Sequence, residues 1–216
     1  GAGTIIYQQG NYGSSGQTLT IGEVSGSGTM SGGTAATDSR LLTYAVGGRN
    51  TDATFTGVIQ NGTRPTAIIK QGTGSWTLGG INTFTGTNLV NSGKLVGITG
   101  GSISNTAAFI VASGATNGVK VGAANTQWTT TNVIYSAGAT ALEVNLGGSP
   151  STNVAPFNVL GTLTANSTIS VLVYAGNVVA GRTYPLVKYG TLAGAGYSAF
   201  PLAATGPYFT GHLVDN

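Results

Sequence analysis

Cysteine is absent from this chain of 216 residues, and ionisable side chains are scarce. Without cysteine there are no disulfides, no thiolate nucleophile and no thiolate metal site. Charged residues make up 6% of the chain, against about 25% in an ordinary globular domain. A surface so poor in charge is wetted by hydroxyls and amides. That suits a β-protein, because threonine favours strands while Asn, Gly and Ser favour turns. No stretch reaches the roughly 18 consecutive apolar residues of a membrane-crossing helix, so the chain does not read as membrane-spanning. Helices of any kind are disfavoured, since Gly or Pro interrupts nearly every window, at about 1 and 3 kcal/mol respectively.

The positive charge is thin as well. Eight Lys or Arg face five Asp or Glu, a formal net charge of +3. Arg40, Arg49, Arg64, Lys70, Lys94, Lys120, Arg182 and Lys188 stand singly. Nucleic-acid binding calls for a clustered basic stripe, so nucleic acid is not read as a partner. The opening Gly1-Ala2-Gly3 suits the vicinity of a signal-peptide cleavage site, which fits an exported chain.

What the chain has instead is 37 glycines and a succession of short β-branched and aromatic runs bounded by Gly, Asn and Ser. Examples are 41–46, 66–70, 75–78, 94–98 and 169–174. Their spacing admits a sandwich, a barrel or a solenoid. Glycine at coil corners, few charges where like residues would stack, and few hairpin-type turns favour a solenoid for the first two thirds. The expected organisation is all-β. A right-handed parallel β-helix over 1–140 is followed by an antiparallel β-sandwich-like or capping unit over 141–216. The second part is inferred from Pro150, Pro156, Pro185, Pro201 and Pro207 and from its concentration of aromatics.

The segment 55–96 is the most informative. Alternation in Ser75-Trp76-Thr77-Leu78 sends Trp76 and Leu78 to one face. Phe84, Leu89, Leu95 and the pair Ile68/Ile69 are expected to supply adjoining inward positions, Gly72, Gly74, Gly80, Gly86 and Gly93 sit where coils must turn, and Asn82 reads as a corner residue in a buried asparagine ladder or as a plain turn residue. The spacing of Phe55, Gly57, Ile59, Ile68, Lys70, Gly72, Gly74, Trp76, Leu78, Gly80, Asn82, Phe84, Gly86, Leu89, Gly93 and Leu95 resembles the autotransporter-associated β-strand repeat, also called the passenger-associated transport repeat, of exported bacterial proteins. Ile68 stands where the repeat has Leu, and Asn88 where it has Thr. The stretch 141–194 resembles the terminal region of large proteins carrying such repeats. The resemblance implies right-handed parallel β-helices at the cell surface and a structural or adhesive role, with no catalytic residue attached to the repeat.

The inventory for catalysis is short: Glu23, Asp38, Asp52, Glu143, Asp215 and His212. A glycosidase needs two facing carboxylates, and a serine triad would have to use a histidine four residues from the end. No nucleophile elbow, calcium repeat or phosphate-cradling loop is present. No cofactor or metal is expected, and the chain does not read as an enzyme. Paired threonines such as Thr18/Thr20, Thr54/Thr56 and Thr129/Thr131 read as solvated strand faces. Thr4, Ile5, Ile6 and Tyr7 form a β-prone patch beside a glycine-rich stretch within 1–16, placed to pair with a neighbouring subunit by strand addition. The leading expectation is an extracellular structural protein of the bacterial surface, self-associating into a homo-oligomer or filament. An adhesin or module binding surface glycans is the alternative, and a polysaccharide-degrading β-helix enzyme stands third.

Overall fold

Short alternating runs closed by glycine or asparagine give strands too brief to stand alone, so each must stack on its equivalent in the next coil. The computed structural model describes residues 5–6, 16–33, 39–148, 150–205 and 210–215. After β1 (Ile5–Ile6) and β2 (Gln17–Ile21), the strands recur in threes. These are β3 (Thr29–Ser31), β4 (Leu42–Val46) and β5 (Ala53–Phe55), then β6 (Val58–Gln60), β7 (Thr66–Lys70) and β8 (Ser75–Leu78). The series continues with β9 (Ile81–Asn82), β10 (Asn88–Val90) and β11 (Lys94–Ile98), then β12 (Ser102–Ile103), β13 (Phe109–Val111) and β14 (Thr116–Lys120). Next come β15 (Trp128–Thr130), β16 (Val133–Tyr135) and β17 (Thr140–Asn145). The last coils are built from β18 (Phe157–Ala165) with β19 (Ile169–Tyr174), and from β20 (Val187–Gly194) with β21 (Leu202–Thr205).

The result is a parallel β-solenoid of about 7 turns. The first face stacks β2-β4-β7-β10-β13-β16-β18, and the second stacks β5-β8-β11-β14-β17-β19-β21. The third is formed by β1-β3-β6 and by β9-β12-β15-β18. Strand β18 is long enough to turn a corner. Phe157 to Val159 pair with β15 on the third face, and Leu163 to Ala165 pair with β16 on the first.

Inward side chains form columns. On the first face Tyr44, Ile68, Asn88, Phe109, Val133 and Leu163 stack in register, which corrects the inward expectation for Leu89 and Ile69, because strand alternation turns Asn88 and Ile68 inward and these two outward. On the second, Trp76, Leu95, Asn117, Leu142 and Val171 do the same. Most of these residues are buried apolar side chains, each contributing about 1.5–3 kcal/mol by leaving water. The second face also shows how one column makes room for another. Gly97 lies between Leu78 and Val119 in register, and a Cβ there would collide with the indole of Trp128, which enters from the third face.

The antiparallel unit expected over 141–216 is corrected by strand direction. Strand β17 pairs in parallel with β14, β19 with β17, β20 with β18 and β21 with β19. There is no break near residue 140, because Thr140 to Asn145 continue the second face in register. The prolines that suggested hairpins occupy the connections: Pro150, Pro156, Pro185 and Pro201 all lie outside strands. What changes along the chain is coil length, from the Ile68–Asn88 step to the Leu163–Leu192 step. The stacking direction does not change.

Candidate functional site

The repeat residues build two corners and the columns between them. Phe55, Ile59, Trp76, Leu78, Phe84 and Leu95 are all buried in the core, and Trp76 donates its indole N–H to Val24 O at 2.9 Å. Gly57 and Gly80 belong to one column of corner glycines. A Cβ on Gly57 would run into Gly28 O, and one on Gly80 into Gly57 O, so the coils approach backbone to backbone. A second column holds Gly47, Gly72 and Gly93, with φ of 115°, 74° and 66°. Gly74 and Gly86 likewise abut the coil beneath, against Thr51 O and Thr66 O.

Lys70 occupies an inward position, between Val46 and Val90 in register, and is 1% exposed. Its ammonium donates to Gln71 O at 2.8 Å, Gly72 O at 3.1 Å and Ser92 O at 3.2 Å. It therefore ties the glycine corner of one coil to the next. Burial lowers its pKa, partly offset by Asp52. Asn82 is buried alone between Ile59 and Ile103 on the third face, so there is no asparagine ladder here. Its Oδ1 accepts from Ile59 N, while Nδ2 donates to Gly80 O and Ser102 O.

Arg64 was legible in the sequence only as a scattered cation. It is 2% exposed, and its guanidinium donates to Arg40 O and, at longer range, to Gln17 Oε1 and Leu41 O. A lone Arg among loop residues carries no local signal for this role, because the acceptors come from two other segments.

The described acids are engaged in structural contacts. Glu23 accepts from the Thr51 hydroxyl, and Asp52 accepts from Ser75 N. Glu143 pairs with Lys94 across Gly118, two rungs apart on the second face. Asp215 accepts from the Tyr189 hydroxyl at 2.6 Å, which raises the tyrosine's pKa. His212 is exposed, and Asp38 lies outside the described residues. Among the described residues no three of His, Cys, Asp and Glu gather into a metal-ligating group.

One hollow, of about 240 Å³, opens at the corner between the first and second faces. Gly114, Ala115, Ala139 and Ala141 form its floor, with Thr116, Thr140 and Ser170 contributing hydroxyl-bearing residues. It arises because one outward column falls in size from Lys94 through Thr116 to Ala141. Its lining is uncharged and holds no group to move protons at neutral pH. The paired threonines do not make a single array. Thr18/Thr20 lie on the first face, Thr54 on the second and Thr129 on the third.

Of the patch expected to pair with a neighbour, Ile5 and Ile6 pair in parallel with Thr29 and Met30 of the same chain. Thr4 and Tyr7 lie outside the described residues. Strand β1 ends its sheet, so its second edge has no partner strand among the described residues. Among those residues no helix is long and apolar enough to cross a membrane.

No protein-family model matches the chain, and no solved structure matches it. The chain is similar to the protein named "Adhesin BmaC autotransporter" of Brucella suis biovar 1 (strain 1330), with 41% identity over 104 residues. That alignment covers 44% of this chain and 3% of the adhesin, so the similarity joins this parallel β-solenoid to a small part of a very long autotransporter adhesin.

Proposed function

We propose that this chain is a structural segment of an exported bacterial surface protein of the adhesin type, in which the solenoid sets reach and presents side-chain columns to the outside. The observation that carries this reading is the pairing of an unbroken parallel stack with 41% identity to an autotransporter adhesin. Among the described residues the acids accept structural hydrogen bonds or, at Glu143, pair with Lys94, which supports a role without catalysis. Neutral surface glycans suit the hydroxyl-lined hollow over Thr116 and Ser170. The test is display of the chain from a carrier on a non-adherent bacterial host. Binding to epithelial cell layers or to a glycan array above that of the empty carrier supports the reading, and binding equal to the carrier contradicts it.

A second reading, end-to-end assembly by strand addition, is favoured by the two ends of the stack. Among the described residues, strands β1, β2 and β5 end their sheets at one end, and β20 and β21 at the other. Leu19 and Ile21 of β2 are only partly buried against the core. Unlike ends that join without closing give a fibre. Filaments seen by electron microscopy of the purified chain support this reading, and strict monomers at high concentration contradict it.

A further inference from the structure

Most of the basic residues sit on backbone that the stack holds in place. Arg64 and Lys70 are buried, and the bond after Arg64 leads into Pro65. Lys94, Lys120 and Lys188 lie within β11, β14 and β20. Arg40 O accepts from Arg64 Nε, while Leu41 O accepts from Gln17 N and Leu42 N donates to Pro65 O. Arg49 is exposed, yet its N–H donates to Gly22 O. Its neighbours Asn50 and Asp52 accept from Thr73 N and Ser75 N of the next coil.

Arg182 is different. It lies in the connection between β19 and β20, where Val179 to Thr183 are all exposed. This connection is fastened at its two ends. Gly176 N donates to Gly147 O and Asn177 Nδ2 to Gly148 O, and Leu186 O accepts from Phe157 N. Between those ends the hydrogen bonds among the described residues are internal to the loop. Val179 N donates to the Tyr184 hydroxyl at 2.8 Å, and Arg182 N to Val179 O at 3.2 Å. Gly181 has a φ of 75°, and a Cβ there would meet nothing within 4 Å, so the tip stands clear of the stack. The equivalent connection of the previous coil, between β17 and β18, contains no Lys or Arg. It is also pinned to its neighbour, since Ser151 Oγ donates to Asn125 Oδ1 and Gln127 Nε2 to Ala155 O.

We infer that the Arg182–Thr183 peptide bond is a proteolytic processing site, read by a protease that selects a basic residue. Exposed loop tips are where chains are nicked, because they can take up the extended form of a bound peptide without unfolding a domain. As the C–N bond breaks, water supplies a hydroxyl to the Arg182 carbonyl carbon and a proton to the Thr183 nitrogen. Cleavage does not shed the last coil. Strand β20 stays paired along β18, and β21 along β19. Leu213, packed against the core, and the Tyr189–Asp215 hydrogen bond belong to that same final coil and its tail. The product is a two-chain solenoid whose last coil is held by hydrogen bonds and packing alone.

The experiment is limited trypsin digestion of the purified chain, with intact-mass analysis and gel filtration of the products. The first cut is expected after Arg182, giving fragments 1–182 and 183–216. It should be about tenfold or more faster than a cut after any other basic residue, because elsewhere a coil must open first. The two fragments are expected to elute together and to part only in denaturant. Arg182→Gln is expected to melt like the unmodified chain, since its side chain is exposed, and to lose the first cut. A first cut after Arg49 or any other basic residue overturns the inference, as does resistance of the whole chain to trypsin. So do fragments that separate without denaturant, or an Arg182→Gln chain that is cut as fast as before.

Discussion

The backbone N–H of Ile59 donates not to another backbone carbonyl but to the side-chain Oδ1 of Asn82, 2.8 Å away. The sheet between β6 and β9 is interrupted at this point, and the amide of Asn82 fills the gap. The same side chain donates to Gly80 O and to Ser102 O in the coil above. One residue thus bonds to three successive coils. Asn82→Ala leaves Ile59 N and two carbonyls without these partners and is expected to cost about 2–4 kcal/mol. Asn82→Leu fills the space without restoring the bonds and is expected to be comparably destabilising. Denaturant unfolding measures both. A loss below about 0.5 kcal/mol contradicts the bridging role.

Lys70 gives a pH signature. Its folded pKa is lowered by burial, so between that value and the unfolded pKa of about 10.4 the unfolded chain binds more protons. Stability contributed at this site therefore rises with pH through that window. Lys70→Met removes the titration, so the native chain should gain stability relative to Lys70→Met as pH rises towards 10. At neutral pH Lys70→Ala leaves a cavity and three carbonyls without the ammonium, and should cost about 2–5 kcal/mol. Parallel curves for the native chain and Lys70→Met would contradict the buried position.

Tyr44 acts in the opposite direction. It donates to Ser31 O at 2.6 Å, and burial pushes its pKa up to about 12. The folded state keeps its proton when the unfolded state loses it, near pH 10. The stability it confers is complete below pH 10 and is lost as pH rises towards 12. Tyr44→Phe should flatten that alkaline decline while lowering stability at pH 7 by about 1 kcal/mol. Chemical unfolding at a series of alkaline pH values separates the two effects.

Gly97 tests the fit between faces. Gly97→Ala puts a methyl into the indole of Trp128, and overpacking of this kind costs about 1–3 kcal/mol. Combining it with Trp128→Leu should show non-additive, partly compensating losses in a double-mutant cycle. Strict additivity would contradict their direct contact.

These positions also show what the sequence could disclose. Trp76 and Leu78 are inward because strand alternation leaves them no choice, and Gly72 and Gly93 mark corners because left-handed turns favour glycine. The inward Lys70 was visible as a spaced motif residue, although a polar head among Val46 and Val90 is contrary to simple patterning. The direction of pairing beyond residue 140 was not legible. Alternation is the same in parallel and antiparallel strands, and Pro156, Pro185 and Pro201 serve a long coil connection as readily as a hairpin. The register that stacks Ile69, Leu89, Ile110 and Ile134 was hidden for a related reason, since each is an ordinary apolar residue in its own strand and only the pairing between coils aligns them.

The claim on which the rest depends is that the parallel stack runs unbroken into the last third of the chain. Because the chain has no cysteine, a disulfide between engineered pairs reports register without interference. Asn145 and Tyr174 face each other in the parallel pairing of β17 and β19, while Asn145 and Ser170 lie at opposite ends of it. Neighbouring strands bring Cα atoms within the roughly 4.4–6.8 Å that a disulfide spans. On mild oxidation Asn145→Cys with Tyr174→Cys is expected to cross-link readily within the chain, and Asn145→Cys with Ser170→Cys is not. The reverse result would place β17 and β19 antiparallel and contradict a continuous solenoid.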